Sequence, residues 1–353
     1  MHFVVEQVLL RAWTRISWLS CLLWPVSLIM RLLVLARRTL YRLHILKSQR
    51  VNALVVVVGN VVAGGAGKTP TVIHLVKHLQ AGGILCGVVS RGYTGKNQHC
   101  QEVLKTSSPF DVGDEPLLVH LRTGVPVFVG KSRVMAAHNL LQHYPQVQVI
   151  VCDDGLQHYP LYRDIEICVF DNRGCGNGLL LPAGPLREPW PLSALASAGQ
   201  NPRRLLVLHT GSQPAFEGYR AQRRLAEAAI DSRGQRFPLD QLSKYPPKPL
   251  MALAGIAQPE IFFEMLRASG LPLEKTLPLP DHYHFKDIAQ RISPHFQIIC
   301  TEKDAVKLWE FVPDALCVGL EQTPEPDFLT AFDTCLEEVG IAPLSSHHGH
   351  QTT

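Results

Sequence analysis

Short apolar runs alternate with segments of helical periodicity over most of the chain. The clearest run is the four valines at 55–58, which are too few for a helix and β-branched, so they predict a buried strand. Apolar residues at helical spacing follow at 72–79 and predict a helix. Further strands are predicted at 84–90, 125–129, 147–152, 165–170 and 205–209, with a helix at 133–143. This alternation predicts an α/β fold with a mostly parallel sheet and helices on both faces.

A smaller second unit is predicted after the proline-rich segment 244–249. There a strand-like run at 250–254, a helical stretch at 259–269 and another strand at 298–300 resume the same alternation. The predicted organisation is an N-terminal helix at 1–45, a main domain at 46–243, a linker at 244–249, a smaller α/β domain at 250–340 and a frayed tail at 341–353.

The N-terminal region combines apolar character with positive charge. Residues 1–50 hold eight Lys or Arg against one acid, whereas the whole chain has a net charge of only +4. The segment 16–30 has no charged residue but is shorter than the roughly 20 residues that span a bilayer. Trp18 and Trp24 are suited to a lipid interface. The pattern predicts a helix lying on or shallowly in an anionic membrane surface; a cleaved signal peptide, a true span and a soluble core helix are the alternatives.

The nine cysteines are scattered through the sequence and form no C-x-x-C pair. Cys152, Cys168 and Cys300 lie inside apolar runs, where cysteine behaves as a small hydrophobic residue. This usage argues against a disulfide framework or a zinc site and predicts a reducing compartment.

A glycine-rich loop joins the valine strand to the helix that follows it. Three glycines stand in the four positions before Lys68, and Thr69 comes next. Glycines let backbone N–H groups converge on phosphate oxygens, the helix N-terminus favours negative charge, and a lysine adds a point charge. The strict P-loop pattern has glycine where this chain has Val62. The predicted ATP-binding residues are Val62, Ala63, Gly64, Gly65, Ala66, Gly67, Lys68 and Thr69, with the Thr69 hydroxyl directed to Mg²⁺.

Carboxylates follow two of the predicted elements. Asp153 and Asp154 come at the end of an apolar strand, which is the expected place for acids that hold Mg²⁺ beside a P-loop; a turn-forming Asp-Asp-Gly is the alternative. Asp114 and Glu115 precede a helical stretch, and by themselves they indicate a helix start, where acids are favourable.

These motifs together resemble the tetraacyldisaccharide 4′-kinase family, the lipid A 4′-kinases. The matching stretches are GNVVAGGAGKTP (59–70), VVSRGYTG (88–95), VGDEPLL (112–118), DDGLQHY (153–159), LPAGPLRE (181–188), AGIAQPEIFF (254–263), DH (281–282) and TEKDAVKL (301–308). The resemblance implies transfer of the ATP γ-phosphoryl to the 4′-hydroxyl of an acylated glucosamine disaccharide 1-phosphate, with Mg²⁺. It also implies an active site in the cleft between two α/β domains, at the cytoplasmic face of the cell inner membrane.

The resemblance also implies roles for individual residues. Asp114 matches the carboxylate that accepts the hydroxyl proton, and His282 matches the histidine that assists it, whereas His284 would face the opposite way on a strand. Asp153 and Asp154 match the acids that hold Mg²⁺. Further residues implied at the site are Glu115, Gln157 and Arg187, with Glu188 as an additional metal ligand.

Three other function classes fit less well. A membrane-associated P-loop ATPase switch has a lysine before the glycine pair, where this chain has Ala63. A GTPase needs an N/T-K-x-D element to read guanine, and the stretch 301–304 has these residue types in the wrong order. The basic N-terminus is too apolar for a nucleic-acid partner, so none is expected.

Overall fold

The computed structural model describes residues 12–92, 100–191 and 204–341. Arg11, Tyr93–Gly95 of the VVSRGYTG motif and the predicted tail from residue 342 onward lie outside these ranges. The helices within them are α1 (Trp18–Arg42), α2 (Lys68–Ala81), α3 (Pro109–Val112), α4 (Asp114–Thr123), α5 (Arg133–His143), α6 (Leu239–Lys244), α7 (Pro259–Ala268), α8 (Ile288–Arg291), α9 (Glu302–Leu308) and α10 (Pro326–Glu338). The strands are β1 (Leu54–Gly59), β2 (Cys86–Ser90), β3 (Gln101–Glu102), β4 (Val127–Val129), β5 (Val149–Asp153), β6 (Ile165–Phe170), β7 (Leu205–His209), β8 (Tyr219–Ile230), β9 (Arg236–Pro238), β10 (Leu250–Ala254), β11 (Leu273–Pro278), β12 (Gln297–Thr301) and β13 (Leu316–Pro324).

The strands form one sheet in the order β11-β10-β12-β13-β8-β7-β6-β1-β5-β2-β4-β3, with β9 paired to β8. Most neighbours are parallel; the antiparallel pairs are β3 with β4, β8 with β13 and β8 with β9. We call strands β1–β7 the N-terminal half of the sheet and strands β8–β13 the C-terminal half. The predicted mostly parallel sheet is confirmed.

The valine strand β1 lies at the centre of the N-terminal half, between β5 and β6. Its side chains alternate between the two faces because successive residues of a strand point in opposite directions. Val56 and Val58 join one apolar cluster with Leu75 of α2, and Val55 and Val57 join a second cluster with Leu140 of α5. Helices therefore cover both faces of the sheet, as the unbroken apolar run predicts.

The C-terminal half repeats this layered arrangement on a smaller scale. On β10, Ala252 packs on one face with Phe263 of α7, and Leu253 packs on the other with Leu308 of α9. Strands β10 and β12 pair in parallel, so the carboxyl ends of both lie at one edge of the sheet.

Strand β8 connects the two halves and was not predicted. It pairs in parallel with β7 at its first residues and antiparallel with β13 along most of its length. Helix α10 also returns from the C-terminal end of the chain, because Phe328 and Phe332 lie in the apolar cluster of the N-terminal half. The domain boundary at 244–249 stays a prediction, and β8 extends the C-terminal half of the sheet upstream of it.

The predicted N-terminal helix is present and continues beyond Arg31 to Arg42. It has 25 residues and a mean hydropathy of 2.1 in its most apolar window, of which only 11% is buried, so by length and composition it could cross a membrane. Polar contacts attach it to the rest of the chain: Ser27 donates to the carbonyl of Leu180 at 2.8 Å and accepts from the backbone N–H of Ala183 at 2.9 Å. Near the end of the helix, Tyr41 packs on Tyr159. The helix therefore turns polar residues inward and apolar residues outward.

Candidate active site

The loop after β1 has the shape that phosphate binding requires. Gly64 and Gly67 have φ of 97° and 86°, which favours glycine, and Gly67 is the N-cap of α2. Val62, which stands where the strict pattern has glycine, is 2% exposed and forms an antiparallel bridge with Leu186. At this position the backbone is extended and the side chain packs into the core, so this loop does not need a glycine there.

Lys68 is held at the start of α2 by two partners. Its Nζ lies 3.3 Å from Asn60 Oδ1 and 3.4 Å from Asp154 Oδ1. The Asn60 amide in turn donates to the carbonyl of Gly64 at 3.1 Å, and Gln157 donates to the carbonyl of Asn60 at 3.0 Å. Asn60 was missed by the sequence reasoning, although its position directly after a buried strand was a usable signal.

The two acids at the end of β5 differ in their surroundings. Asp153 is 1% exposed and its Oδ1 has no hydrogen-bond partner. Burial, followed by the charges of Glu115 and Asp154, raises the pKa of Asp153. Burial also opposes the ionisation of Asp154, but Lys68 and Arg187 outweigh it and lower the Asp154 pKa.

This donor set fits a magnesium ion. A buried, unpartnered carboxylate oxygen beside a second carboxylate is costly without a nearby cation. Within residues 12–92, 100–191 and 204–341, no three His, Cys, Asp or Glu side chains are grouped as a metal site. Mg²⁺ uses one or two carboxylates and takes its remaining ligands from water and phosphate, so Asp153, Asp154 and the Thr69 hydroxyl match its demands.

Arg187 and Glu188 point to different places. Arg187 Nη1 donates to Asp154 Oδ1 at 3.1 Å, which puts this guanidinium at the predicted metal residues. Glu188 instead accepts from Arg38 of α1 and, at 2.7 Å, from the Tyr159 hydroxyl. Glu188 is thus held by the N-terminal helix, and its contacts give no support to the expected role as a metal ligand.

Two arginines that the sequence reasoning missed brace the phosphate loop from its outer side. Arg173 donates to the carbonyls of Ala63 at 3.2 Å and Gly65 at 3.0 Å. Arg223 of β8 donates to the carbonyl of Ala66 at 3.0 Å. Both arginines are distant from the loop in sequence, so no local motif indicates that they contact it.

A cavity of about 770 Å³ opens beside this braced loop. Asp171 and Thr210 line it on the side of the N-terminal half, and Arg223 of β8 with Ile261 and Met265 of α7 line it on the other. Thr210 also donates to the carbonyl of Ala66 at 2.9 Å, so one wall of the cavity is attached to the phosphate loop. The cavity therefore combines polar groups, apolar side chains and access to the loop.

Asp114 and His282 meet across the two halves of the sheet. Asp114 is the first residue of α4, and His282 lies in the turn after β11 with a φ of 59°. His282 Nδ1 lies 3.2 Å from Asp114 Oδ2, and Lys307 of α9 donates to the same oxygen at 2.8 Å. Asp114 Oδ1 accepts from the backbone N–H of Glu115 at 3.0 Å, so Asp114 also provides a hydrogen-bond acceptor for a backbone N–H at the start of α4. His284 stacks on Phe110 instead, with ring centroids 5.7 Å apart.

The protonation of this pair is shifted in opposite directions. Burial opposes the ionisation of Asp114, but its hydrogen bond with His282 and the charges of Lys303 and Lys307 outweigh it, so the Asp114 pKa lies well below its usual value. The hydrogen bond that His282 donates to Asp114 raises the pKa of His282, against burial and Lys303. Asp114 is therefore a fixed anion and His282 is a strengthened base.

Glu115 extends this network towards the metal residues. Its Oε1 accepts from Lys303 Nζ at 2.9 Å, and the same ammonium donates to Asp281 Oδ1 at 3.0 Å. Burial works against the charge of Lys303, yet Glu115, Asp114 and Asp281 outweigh it and raise its pKa. The charge of Glu115 also raises the pKa of Asp153, so Glu115 lies near the acids at the end of β5 as well.

Comparisons with known proteins agree with this geometry. A family model for LpxK, tetraacyldisaccharide-1-P 4′-kinase, matches residues 19–337. Tetraacyldisaccharide 4′-kinases of Polaromonas naphthalenivorans and Acidovorax sp. are 53% and 48% identical to the chain, over 99% and 96% of it and 100% and 95% of their own lengths. The crystal structure of Aquifex aeolicus LpxK in complex with ATP is similar with a TM-score of 0.75 and 25% identity, covering 92% of this chain and 100% of that one. The chain belongs to the tetraacyldisaccharide 4′-kinase family.

Proposed function

We propose that the chain transfers the γ-phosphoryl group of ATP to the 4′-hydroxyl of a tetraacylated glucosamine disaccharide 1-phosphate, a step of lipid A synthesis. Family membership over nearly the whole chain supports an ATP-dependent kinase. The observation that carries the proposal is the proximity of a P-loop lysine, a pair of acids and the Asp114–His282 pair, linked through Glu115.

The phosphate loop and the neighbouring cavity are the proposed seat of ATP. The loop would hold the phosphates with backbone N–H groups and Lys68, and the cavity lined by Asp171 and Thr210 would take the nucleoside. Arg173 and Arg223 bind carbonyls of the loop and so fix the backbone that carries its N–H groups. Asp154 pairs with Lys68 at 3.4 Å and so helps to fix the position of its ammonium.

Asp153, Asp154 and Thr69 are the proposed residues for Mg²⁺. When bound, the ion would neutralise negative charge on the phosphate oxygens during transfer. The unpartnered Oδ1 of Asp153 is the strongest local support for this assignment. Arg187 stays bonded to Asp154 and keeps that carboxylate in position.

We further propose that His282, rather than Asp114, takes the proton of the attacking hydroxyl. Asp114 is 5% exposed and both its oxygens accept hydrogen bonds, whereas the side chain of His282 is 30% exposed. A base acts best when its pKa lies near the working pH, which suits His282 and not Asp114. Asp114 would hold Nδ1 and stabilise the imidazolium that forms, while Nε2, which lies 3.9 Å from Asp281 Oδ2, would take the proton. This reverses the roles that the family resemblance implied.

The outward apolar face of α1 is the proposed contact with the cytoplasmic face of the inner membrane, which holds the lipid acceptor. Large side chains on this face, among them Trp18, Leu22 and Ile29, are 60% exposed or more. Such a surface is stable in water only at a cost and fits the boundary between headgroups and acyl chains. The acceptor could then present its 4′-hydroxyl to the site while its chains remain in lipid.

A direct assay tests the proposal. Full-length protein is incubated with Mg-ATP and a detergent-dispersed acylated disaccharide 1-phosphate, and the mass of the lipid is then determined by mass spectrometry. We expect one added phosphate that depends on ATP, and retention of ATP when the lipid is left out. Release of inorganic phosphate with an unmodified lipid would instead identify an ATPase switch.

A further inference from the structure

A buried ionic contact joins the N-terminal helix to the body of the protein. Arg38 of α1 donates to Glu188, and its Nε donates to the Tyr159 hydroxyl at 3.0 Å. Tyr159 in turn donates to both oxygens of Glu188, at 2.7 and 2.8 Å. The side chains of Arg38 and Glu188 are only 7% and 6% exposed. A buried pair of this kind leaves a costly unpaired charge when one partner is removed.

The segment that ends at Glu188 is also attached to the nucleotide site. The backbone N–H of Arg187 donates to the carbonyl of Val61 at 2.7 Å, and that of Ala63 donates to the carbonyl of Pro185 at 2.8 Å. The Arg187 side chain donates to Asp154. A shift of this segment would therefore move both the start of the phosphate loop and the guanidinium that holds a metal residue.

We propose that Arg38 and Glu188 are positioning residues that couple the membrane-facing helix α1 to the nucleotide site. Arg38 fixes Glu188, Glu188 fixes its neighbour Arg187, and Arg187 holds Asp154 and the phosphate loop in the arrangement that accepts Mg-ATP. Tight nucleotide binding then requires α1 to be packed on the body of the protein through the Arg38–Glu188 contact, and α1 does more than attach the protein to the membrane. The inference rests on the nucleotide site proposed above.

If this coupling exists, an N-terminal truncation has two separate effects. Deletion of residues 1–45 removes the apolar face and Arg38 together, and it leaves Glu188 without its cation. Loss of activity after such a deletion would therefore mix loss of membrane contact with damage to the nucleotide site. Point substitutions separate the two effects.

The test measures the Mg-ATP dissociation constant of full-length protein in detergent micelles. We expect Arg38→Met and Glu188→Gln each to weaken binding about tenfold, which is usual for residues that orient metal ligands. Arg42→Met removes an exposed charge from the same helix and should leave the constant unchanged. The double variant should bind no worse than the weaker single variant, because the two residues act through one contact.

Two further measurements keep the outcome decisive. Glu188→Gln preserves size and can still accept from Tyr159, so it carries the test if Arg38→Met does not fold. Lys68→Ala tests the underlying site: if it leaves Mg-ATP binding intact, the proposed nucleotide site is wrong. If Lys68→Ala weakens binding while folded Arg38→Met and Glu188→Gln bind as the wild type does, with only a lower melting temperature, the contact is structural and the coupling is refuted.

Discussion

The nucleotide site and the proton-accepting pair are built in different ways. The first lies within the N-terminal half of the sheet, on a loop after β1 and the end of its neighbour β5. The second joins Asp114 and His282, which are 168 positions apart and come from opposite halves. The loop, Lys68 and the two acids of the nucleotide site all belong to the N-terminal half, although Arg223 of β8 braces the loop from the other half. A pair across the halves also depends on the relative position of the two halves.

The largest expected effect is in the nucleotide site. Lys68→Ala should lower the phosphotransfer rate about 10³-fold, because it removes a cation from the phosphates and leaves Asp154 with Arg187 in place of two cationic partners. Steady-state kinetics on purified protein measure the loss. Lys77→Ala removes an exposed lysine from the same helix and is the matched control. Normal turnover by Lys68→Ala would show that this loop does not bind the transferred phosphate.

The next effect isolates the pair across the halves. His282→Ala should lower the rate about 10²–10³-fold, because the hydroxyl loses its base, while the affinity for Mg-ATP stays close to that of the wild type. His284→Ala is the control, because His284 lies only two positions from His282 but its ring stacks on Phe110 instead of meeting Asp114. If both substitutions have equal effects, the assignment to His282 is wrong.

A smaller effect on rate is expected for Lys307→Met. This change removes the ammonium that shares Asp114 Oδ2 with His282, so His282 no longer competes with Lys307 for that oxygen and the His282 pKa should rise. The acid limb of the pH–rate profile should therefore move to higher pH, with a rate loss of about tenfold at neutral pH. Thermal unfolding should also show a loss of about 3–5 kcal/mol, since a buried pair is broken. An unshifted limb would show that Lys307 does not influence the base.

The smallest effect on nucleotide chemistry is expected on α1, outside both sites. Leu22→Glu and Ile29→Glu place charges on its exposed face, and each should weaken binding to anionic vesicles roughly tenfold or more, because burying such a side chain in lipid is worth about 1.5–3 kcal/mol. Vesicle sedimentation measures binding, and the Mg-ATP affinity should not change. Unaltered sedimentation would mean that another surface contacts the membrane.

The same contrast explains how far the sequence could lead. Strands β6, β7 and β10 and helix α5 were predicted with correct limits because each is an apolar or clearly periodic run. Strand β8 was missed because it has few large apolar residues. It carries three arginines, one glutamine and one glutamate among alanines, and this composition hides the alternation of a strand. Lys68, Asp153 and Asp154 could be found because their chemistry is local. Lys307 could not, because only tertiary packing brings it to Asp114.

The assignment of His282 as the base can be tested through the pH dependence of the rate. In the wild type, Asp114 raises the His282 pKa, so the rate should increase with pH through a limb centred above the usual histidine value of about 6.5. In Asp114→Asn that support is lost, while burial and Lys303 still lower the His282 pKa, so the limb should move to lower pH and the plateau should fall. The decisive measurement is the pH–rate profile of both proteins at saturating Mg-ATP. A limb that moves to lower pH in Asp114→Asn supports His282 as the base, and a limb that stays in place, or a wild-type limb near the pKa of a carboxylate, contradicts it.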